Sequence, residues 1–169
     1  MIYIKKYSTN DKIIWNEFVK LIKNEHFFFY REYMEYHSDR FTDNSLMFYD
    51  SKNSLIAILP ANINNNIIYS HQGLTFGGLL IKSSIKQKDV LNIFLAIKDY
   101  LKNNKLNSMI YKRIPYIYHN MPSDEDLYGL FRINAKLIRR DVSSAIKIKK
   151  QIKYSKGRKW IIKKPRKVI

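Results

Sequence analysis

The sequence contains no cysteine among its 169 residues. Disulfide bonds, thiolate metal sites and a cysteine nucleophile are therefore excluded. No apolar run approaches the length that spans a bilayer, and the amino-terminal residues lack the apolar core of a secretory signal. These absences predict a cytoplasmic protein without a transmembrane segment.

Acidic residues are also scarce, because 14 Asp and Glu face 31 Lys and Arg, which gives a net charge of +17. The excess is uneven: the segment from Arg139 onward holds 13 of the basic residues and one acid, Asp141. A basic tail that carries aromatic residues, here Tyr154 and Trp160, is compatible with nucleic-acid binding. The two rings are six residues apart, however, and so do not form one helical stripe.

The apolar and aromatic content predicts a folded domain. Apolar residues make up 46% and aromatic residues 14% of the chain, which is enough to offset the conformational entropy of folding. A chain of this length suits one domain. We assign residues 1–150 to that domain and residues 151–169 to a basic helical tail.

Strands and helices alternate along the sequence in a mixed order. Runs of apolar and β-branched residues between turn residues predict strands at residues 2–7, 45–49, 55–59, 67–71, 79–81, 107–111 and 135–148. Helical spacing predicts a helix with Ile14, Phe18, Leu21 and Ile22 on one face, a short helix at 31–37, a long one at 87–103, one that starts within 123–126 and a basic one at 153–168. The predicted fold class is α/β (mixed α+β), with a mixed, largely antiparallel central sheet flanked by helices.

The segment 69–78 is the first candidate site, because three of the five glycines of the chain lie in it. Glycines at a strand end let a ligand approach the backbone amides closely. Beside Gly73 and Gly77, the residues His71, Gln72 and Thr75 supply hydrogen-bond donors and acceptors. The alternative is a bulge or bend in a sheet, with His71 as a hydrogen-bonded structural side chain.

A second polar and aromatic segment contains Tyr33, Tyr36 and His37. These residues could complete a substrate pocket, or the tyrosines could cover the edge of the core on an amphipathic helix. The four histidines of the chain lack metal-ligand spacing, which argues against a metal site. The phosphate-binding motif G-x-x-x-x-G-K-[ST] and the dinucleotide motif G-x-G-x-x-G are also absent.

Six strings of residues, in order over most of the chain, resemble the FemAB-like branch of the GNAT acyltransferase superfamily, of the type that accompanies surface-glycan biosynthesis. They are Tyr30-Arg-Glu-Tyr-Met-Glu-Tyr-His-Ser-Asp-Arg-Phe41, Ile58-Leu-Pro-Ala-Asn62, Ser70-His-Gln-Gly-Leu-Thr-Phe-Gly-Gly-Leu79, Pro115-Tyr-Ile-Tyr-His119, Ser123-Asp-Glu-Asp-Leu-Tyr128 and Arg139-Arg-Asp-Val-Ser-Ser144.

The resemblance implies an amino-terminal half that binds a small-molecule or glycan-precursor acceptor through the candidate residues of segments 69–78 and 33–37. A second GNAT-like half would supply the donor, an acyl-CoA or an aminoacyl-tRNA. The Gln/Arg-x-x-Gly-x-Gly/Ala loop that holds coenzyme A in many acetyltransferases is absent here. Pro165 also departs from the helix that leads into the second half in similar proteins. We therefore expect a truncated chain that is not independently active.

Three functions remain open at this point. The first is an acyltransferase-like domain for N-acyl or aminoacyl transfer to an amino group of a cell-surface glycan or envelope precursor. The second is a nucleic-acid-binding module that uses the basic tail, and the third is a non-catalytic remnant. We assign no catalytic residue, no metal ligand and no cofactor to this chain.

Overall fold

The computed structural model describes residues 2–36, 38–142, 144 and 154–163. The chain divides into two compact units, Met1–Leu137 and Ile138–Ile169. The sequence-based boundary at residue 150 stays a prediction. None of the helices within the described ranges is long and apolar enough to cross a membrane.

The eight strands found among the described residues lie in the first unit. They are β1 (Tyr3–Lys6), β2 (Thr42–Asp43), β3 (Leu46–Tyr49), β4 (Leu55–Leu59), β5 (Asn62–Asn64), β6 (Ile67–Tyr69), β7 (Leu80–Ile81) and β8 (Ser108–Ile110). Five helices accompany them, α1 (Lys12–Val19), α2 (Arg31–Glu35), α3 (Gln87–Asn103), α4 (Glu125–Arg132) and, in the second unit, α5 (Lys156–Lys163). The mixed and largely antiparallel architecture is confirmed, since the pairing of β6 with β8 is parallel and the other strand pairings are antiparallel.

The strands form two four-stranded sheets, with orders β1-β3-β4-β7 and β2-β5-β6-β8, rather than one continuous sheet. The ladder breaks opposite Pro60, which has no N–H to donate. At this point the Ala61 N–H donates to Ser45 Oγ instead, at 3.1 Å. The segments 42–49 and 55–64 therefore each contribute one strand to either sheet. At the junction the Ser45 side chain replaces one backbone hydrogen bond between the two segments.

Of the four residues predicted on one buried face at α1, Phe18 and Ile22 are buried and the other two are not. Ile14 and Leu21 are 50% and 58% exposed, whereas Trp15, Phe18 and Val19 are buried. The helix ends at Val19, so Leu21 lies beyond it. The large indole of Trp15 sets the buried stripe, since its Nε1–H donates to the Phe29 carbonyl at 2.8 Å.

Helix α3 has the predicted bounds. Val90, Ile93, Phe94 and Ile97 of this helix are buried, whereas Leu91 and Leu101 are only partly buried. Helix α4 packs on α3 through Gly129, because a Cβ there would lie 2.4 Å from the Phe94 ring. Helix α2 ends at Glu35, two residues earlier than predicted, and His37 lies outside the described residues.

The long strand predicted at residues 135–148 is wrong over its described part, since residues 135–142 form no strand. Leu137, Ile138 and Val142 are between 72% and 98% exposed. Alternating apolar residues form a strand only against a pairing partner, and no strand pairing involves this described stretch. The remainder of that strand, and residues 153 and 164–168 of the predicted basic helix, lie outside the described residues.

Between β6 and β7 the chain leaves the sheet as a loop, residues 70–79. Both ends of the loop are attached to the chain that continues β8: the Ser70 N–H donates to the Ile110 carbonyl at 3.0 Å, and the Gly77 N–H donates to the Lys112 carbonyl at 3.2 Å. A Cβ at Gly77 would lie 2.1 Å from the Ser70 carbonyl oxygen. Glycine at this position is therefore required for the two ends of the loop to meet.

Replacement of Arg31, the buried cation that joins α2 to β1 and the sheets, tests the packing of the first unit. Its guanidinium donates to Asp43 Oδ2 at 2.6 Å and lies 3.4 Å from the centroid of the Tyr7 ring. We expect Arg31→Met to lower the free energy of unfolding by about 3 kcal/mol in urea denaturation, because a partner carboxylate loses its counter-charge. Lys20→Met, which removes an exposed ion pair with Glu17, is the control and should cost less than about 1 kcal/mol. Equal losses in the two variants would contradict this account.

Gly77→Ala tests the closure of the 70–79 loop. We expect a loss of about 2 kcal/mol in unfolding free energy, because the methyl group would overlap a backbone oxygen that cannot move without breaking the loop. Gly157→Ala is the matched control, since a Cβ there meets no atom within 4 Å. The control should be neutral or slightly stabilising within its helix. An unchanged stability of Gly77→Ala would contradict the required close approach.

Candidate functional site

The two sheets separate between β7 and the chain that follows β8. In place of a strand carbonyl, the Leu79 N–H donates to the hydroxyl of Tyr111, at 2.7 Å. The preceding residue, Gly78, has a φ of 94°, a conformation that residues with side chains rarely adopt. The Tyr111 side chain thus takes the place of a backbone hydrogen bond between two paired strands.

A cleft opens at this separation, with polar side chains on several elements around it. They are Lys23, Asn24, Arg113, His119, Ser123 and Asp126. The backbone of Gly77 and apolar residues of β7 and α3 complete the wall. The enclosed volume is about 20 Å³, which accommodates one water molecule or one group of similar size, such as an ammonium.

Asp126 is the acidic side chain among the residues that line the cleft. Its carboxylate accepts a hydrogen bond from the Tyr111 hydroxyl at 3.0 Å and one from the Leu127 N–H at 2.8 Å. Burial raises the pKa of Asp126, and the charge of Arg113 offsets this effect only in part. Burial likewise raises the pKa of Tyr111 well above its usual value. Tyr111 therefore remains a neutral donor, while Asp126 takes up a proton more readily than an ordinary carboxylate.

Arg113 lies beside the same carboxylate, but its guanidinium is incompletely hydrogen-bonded. Its Nε is 3.3 Å from Asp126 Oδ1, yet this buried N–H makes no hydrogen bond. The terminal nitrogen of its guanidinium donates to the Ser123 carbonyl at 2.5 Å and to Asp124. A buried donor without a partner costs stability, so the arrangement leaves a donor available at the wall of the cleft.

An ion pair between Lys23 and Glu125 closes the opposite side. Burial alone would raise the pKa of Glu125, but hydrogen bonds from Lys23 and Ser123 outweigh it and lower that pKa. The side-chain amide of Gln87, the first residue of α3, donates to the Glu125 carbonyl at 3.1 Å. The start of α4 is thus fixed to both α3 and the loop after α1.

The structure distributes the candidate residues of the 70–79 loop over different environments. Gly77 lines the cleft. His71 is buried, and its Nδ1 accepts the Gly73 N–H at 3.1 Å. Gln72 is exposed and exchanges two hydrogen bonds of 2.7 Å with Asn62, one of them through its backbone N–H. Thr75 is exposed. The amides of Gln72, Gly73 and Gly77 are thus bonded within the protein, and a ligand-binding role for these residues stays a prediction.

The two candidate tyrosines lie on and just after α2. Tyr33 is 36% exposed and stacks on Phe28, with ring centroids 5.1 Å apart. Tyr36 is 79% exposed. The same Phe28 contacts Phe76 of the 70–79 loop at 5.1 Å. Aromatic packing through Phe28 therefore brings Tyr33 close to the loop, and a binding role for Tyr33 and Tyr36 stays a prediction.

Sequence reasoning missed the residues that are central to the cleft. In the sequence, Asp126 belongs only to a predicted helix start and Tyr111 only to the end of a predicted strand. No sequence pattern connects them, because their contact depends on how α4 packs. Among the described residues there is no group of three or more His, Asp or Glu side chains that could hold a metal ion.

No protein-family model and no curated protein matches this sequence. Two solved structures match its fold. One is AAC(6')-Iy in complex with the bisubstrate analogue CoA-S-monomethyl-acetylneamine, with a TM-score of 0.54, 12% identity, and 87% of this chain and 99% of that chain covered. The other is the aminoglycoside 6'-N-acetyltransferase AAC(6')-Ih from Acinetobacter baumannii, with a TM-score of 0.52, 12% identity, and 88% and 99% covered. The chain therefore has a GNAT-like fold, a mixed α+β arrangement of largely antiparallel sheets and flanking helices.

Proposed function

We propose that this chain is the acceptor-binding part of an acyl-group transferase, and that it holds a primary amine of the acceptor in the cleft beside Asp126. The observation that carries the proposal is the position of this carboxylate. It lies where the two sheets separate, next to the Gly77 backbone, and lines a space that fits one ammonium group. The GNAT fold supports acyl transfer as the general chemistry.

Amine acylation needs a group that first binds the ammonium and then accepts its proton. An amine attacks an activated acyl carbon only as the free base, so one proton must leave. A carboxylate with a raised pKa suits both steps, because it attracts the cation and is a better proton acceptor than an ordinary carboxylate. Tyr111 and Arg113 hold this carboxylate in place from two sides.

Coenzyme A, the donor that the fold family implies, does not fit the start of α3. A helix start binds pyrophosphate through free amides, with glycines that let the phosphates approach. Here residues 82–89 contain no glycine, and the carboxylate of Asp89 accepts the Lys86 N–H at 3.2 Å. A negative charge thus already occupies the first turn. We infer that the donor, an acyl-CoA or an aminoacyl-tRNA, is bound by a second GNAT-like half.

The finer assignment follows the sequence resemblance. The six strings described above favour a FemAB-like protein of the cytoplasm whose acceptor is a glycan or envelope precursor with a free amino group. In this proposal the 70–79 loop borders the acceptor, as its Gly77 borders the cleft. The acceptor half alone does not complete the transfer.

Asp126→Asn tests the role of the carboxylate. We expect the affinity for glucosamine, measured by titration calorimetry, to fall about tenfold or more when the negative charge is removed. Asp99→Asn is the control, since that exposed side chain lies on α3 and is not among the residues that line the cleft. Equal affinities of the wild type and Asp126→Asn would refute the amine site.

The same variant has a pH signature that does not depend on any ligand. Because the pKa of Asp126 is raised on folding, the folded state holds its proton more tightly than the unfolded state. This carboxyl therefore lowers stability as the pH rises from about 4 towards neutral, and it has no such effect at lower pH. The thermal midpoint of Asp126→Asn relative to wild type should accordingly increase over that range. A flat difference would show that the carboxylate is not desolvated.

A donor assay tests whether the chain is active alone. We expect no heat of binding with acetyl-CoA and no release of free thiol when acetyl-CoA and glucosamine are mixed with the protein. The physical reason is the glycine-free, acid-bearing start of α3. Turnover that depends on Asp126 would overturn the proposal of a separate donor half while leaving the amine site intact.

A further inference from the structure

Six rings from three separate parts of the first unit form one continuous cluster, which we call the aromatic patch. Its members are His26, Phe27, Phe28, Tyr33, Phe76 and Tyr118. His26 is the centre, with ring centroids 4.4 Å from Phe28, 5.0 Å from Phe76 and 5.6 Å from Tyr118. A cluster this extensive is more than the single exposed rings that any protein surface carries.

The patch is partly buried and partly open to solvent. Phe76 is buried and anchors it, whereas Phe27, Tyr33 and Tyr118 are 58%, 36% and 46% exposed. The hydroxyls of Tyr33 and Tyr118 make no hydrogen bond within the described residues. The open surface therefore combines apolar ring area with two available hydroxyl groups, which is the composition of small-molecule sites.

The patch carries no charge, although the chain has a net charge of +17. His26 is its only titratable base. Burial lowers the pKa of His26, and its Nδ1 accepts the Phe28 N–H at 3.3 Å. The imidazole is therefore neutral at pH 7. Sites that stack nucleobases combine rings with cations for the phosphates, and that combination is lacking among these six residues.

The patch and the cleft are built from neighbouring residues of the same two loops. Asn24 lines the cleft, and its Oδ1 accepts the Asn120 and Met121 N–H groups at 2.9 and 3.0 Å. This joins the loop before His26 to the loop that carries Tyr118. His119, the residue after Tyr118 in the chain, also lines the cleft. Tyr118 of the patch is thus one residue away, along the chain, from the wall of the cleft.

We propose that the aromatic patch binds the sugar ring of a saccharide acceptor and positions its amino group in the cleft. A pyranose has an apolar C–H face, which packs on aromatic rings, and hydroxyl groups at its edge, which can bond to the two free tyrosine hydroxyls. A neutral patch suits such a neutral ring better than a polyanion. The inference rests on the proposed acceptor function and specifies its substrate class.

The experiment is a titration of the protein with chitobiose, followed in amide NMR spectra of the wild type and four variants. The chitobiose used is the N,N'-diacetyl form, whose sugar rings are N-acetylated and carry no free amine, so it probes the patch without using Asp126. We expect Tyr118→Ala and Tyr33→Ala to weaken binding about tenfold, which corresponds to about 1.4 kcal/mol. Tyr118→Phe, which keeps the ring, should weaken it less. Tyr3→Ala is the control, because Tyr3 is 55% exposed on β1 and lies outside the patch.

Each outcome decides between defined alternatives. The inference is overturned if chitobiose shifts no amide signal of the wild type. It is also overturned if both alanine variants keep the thermal stability of the wild type and bind chitobiose equally well. Tighter binding of uridine monophosphate than of chitobiose would identify a nucleotide site instead. Association of the wild type that increases with protein concentration and is lost in Tyr118→Ala and Tyr33→Ala, without chitobiose binding, would identify an interface between protein chains.

The two proposals fail separately. Glucosamine binding that requires Asp126 but is indifferent to the tyrosines would retain the amine site and eliminate the patch as a sugar platform. Chitobiose binding that requires Tyr118, together with glucosamine binding that is unchanged in Asp126→Asn, would do the reverse.

Discussion

The architecture of the first unit depends on one buried cation. Arg31 is 1% exposed, and a charge at such a position is tolerated only if every side of it is satisfied. Its guanidinium is paired with Asp43, bonded to Ser45 Oγ at 3.2 Å and stacked on Tyr7. Because these partners lie on β2, at the junction of the two sheets and after β1, the position of α2 relative to both sheets is fixed by a single residue.

This constraint extends to the proposed site. The backbone N–H of Arg31 donates to Asn16 Oδ1 at 3.0 Å, so α1 is held against α2 by the start of the same helix. Tyr33, two residues later on the same helix, stacks on Phe28. Tyr33 of the aromatic patch therefore lies on a helix that buried polar contacts hold in place, so the position of its ring does not depend on exposed contacts alone.

The sequence predicted the elements that short-range patterns determine. The hairpin of β3 and β4 and the bounds of α3 follow from turn residues and from apolar spacing within a few positions. The cleft could not be predicted in this way, because it depends on pairs such as Lys23 with Glu125 and Asn24 with Asn120, which are 102 and 96 positions apart. The error at residues 135–142 has the same origin, since a strand pattern does not supply the neighbouring strand that it needs.

The two buried or half-buried arginines show where the fold departs from optimal stability. Arg31 has its donors met by a carboxylate, a hydroxyl and an aromatic face, whereas the Nε of Arg113 is buried without a hydrogen bond. The carboxylate beside Arg113 has a raised pKa, so that pair is incompletely compensated too. Both lie at the wall of the cleft, whereas the other buried side-chain atom without a hydrogen bond among the described residues, Asn44 Nδ2, lies between β2 and β3. An unsatisfied donor beside a carboxylate of raised pKa at a cavity is typical of a surface that a ligand completes.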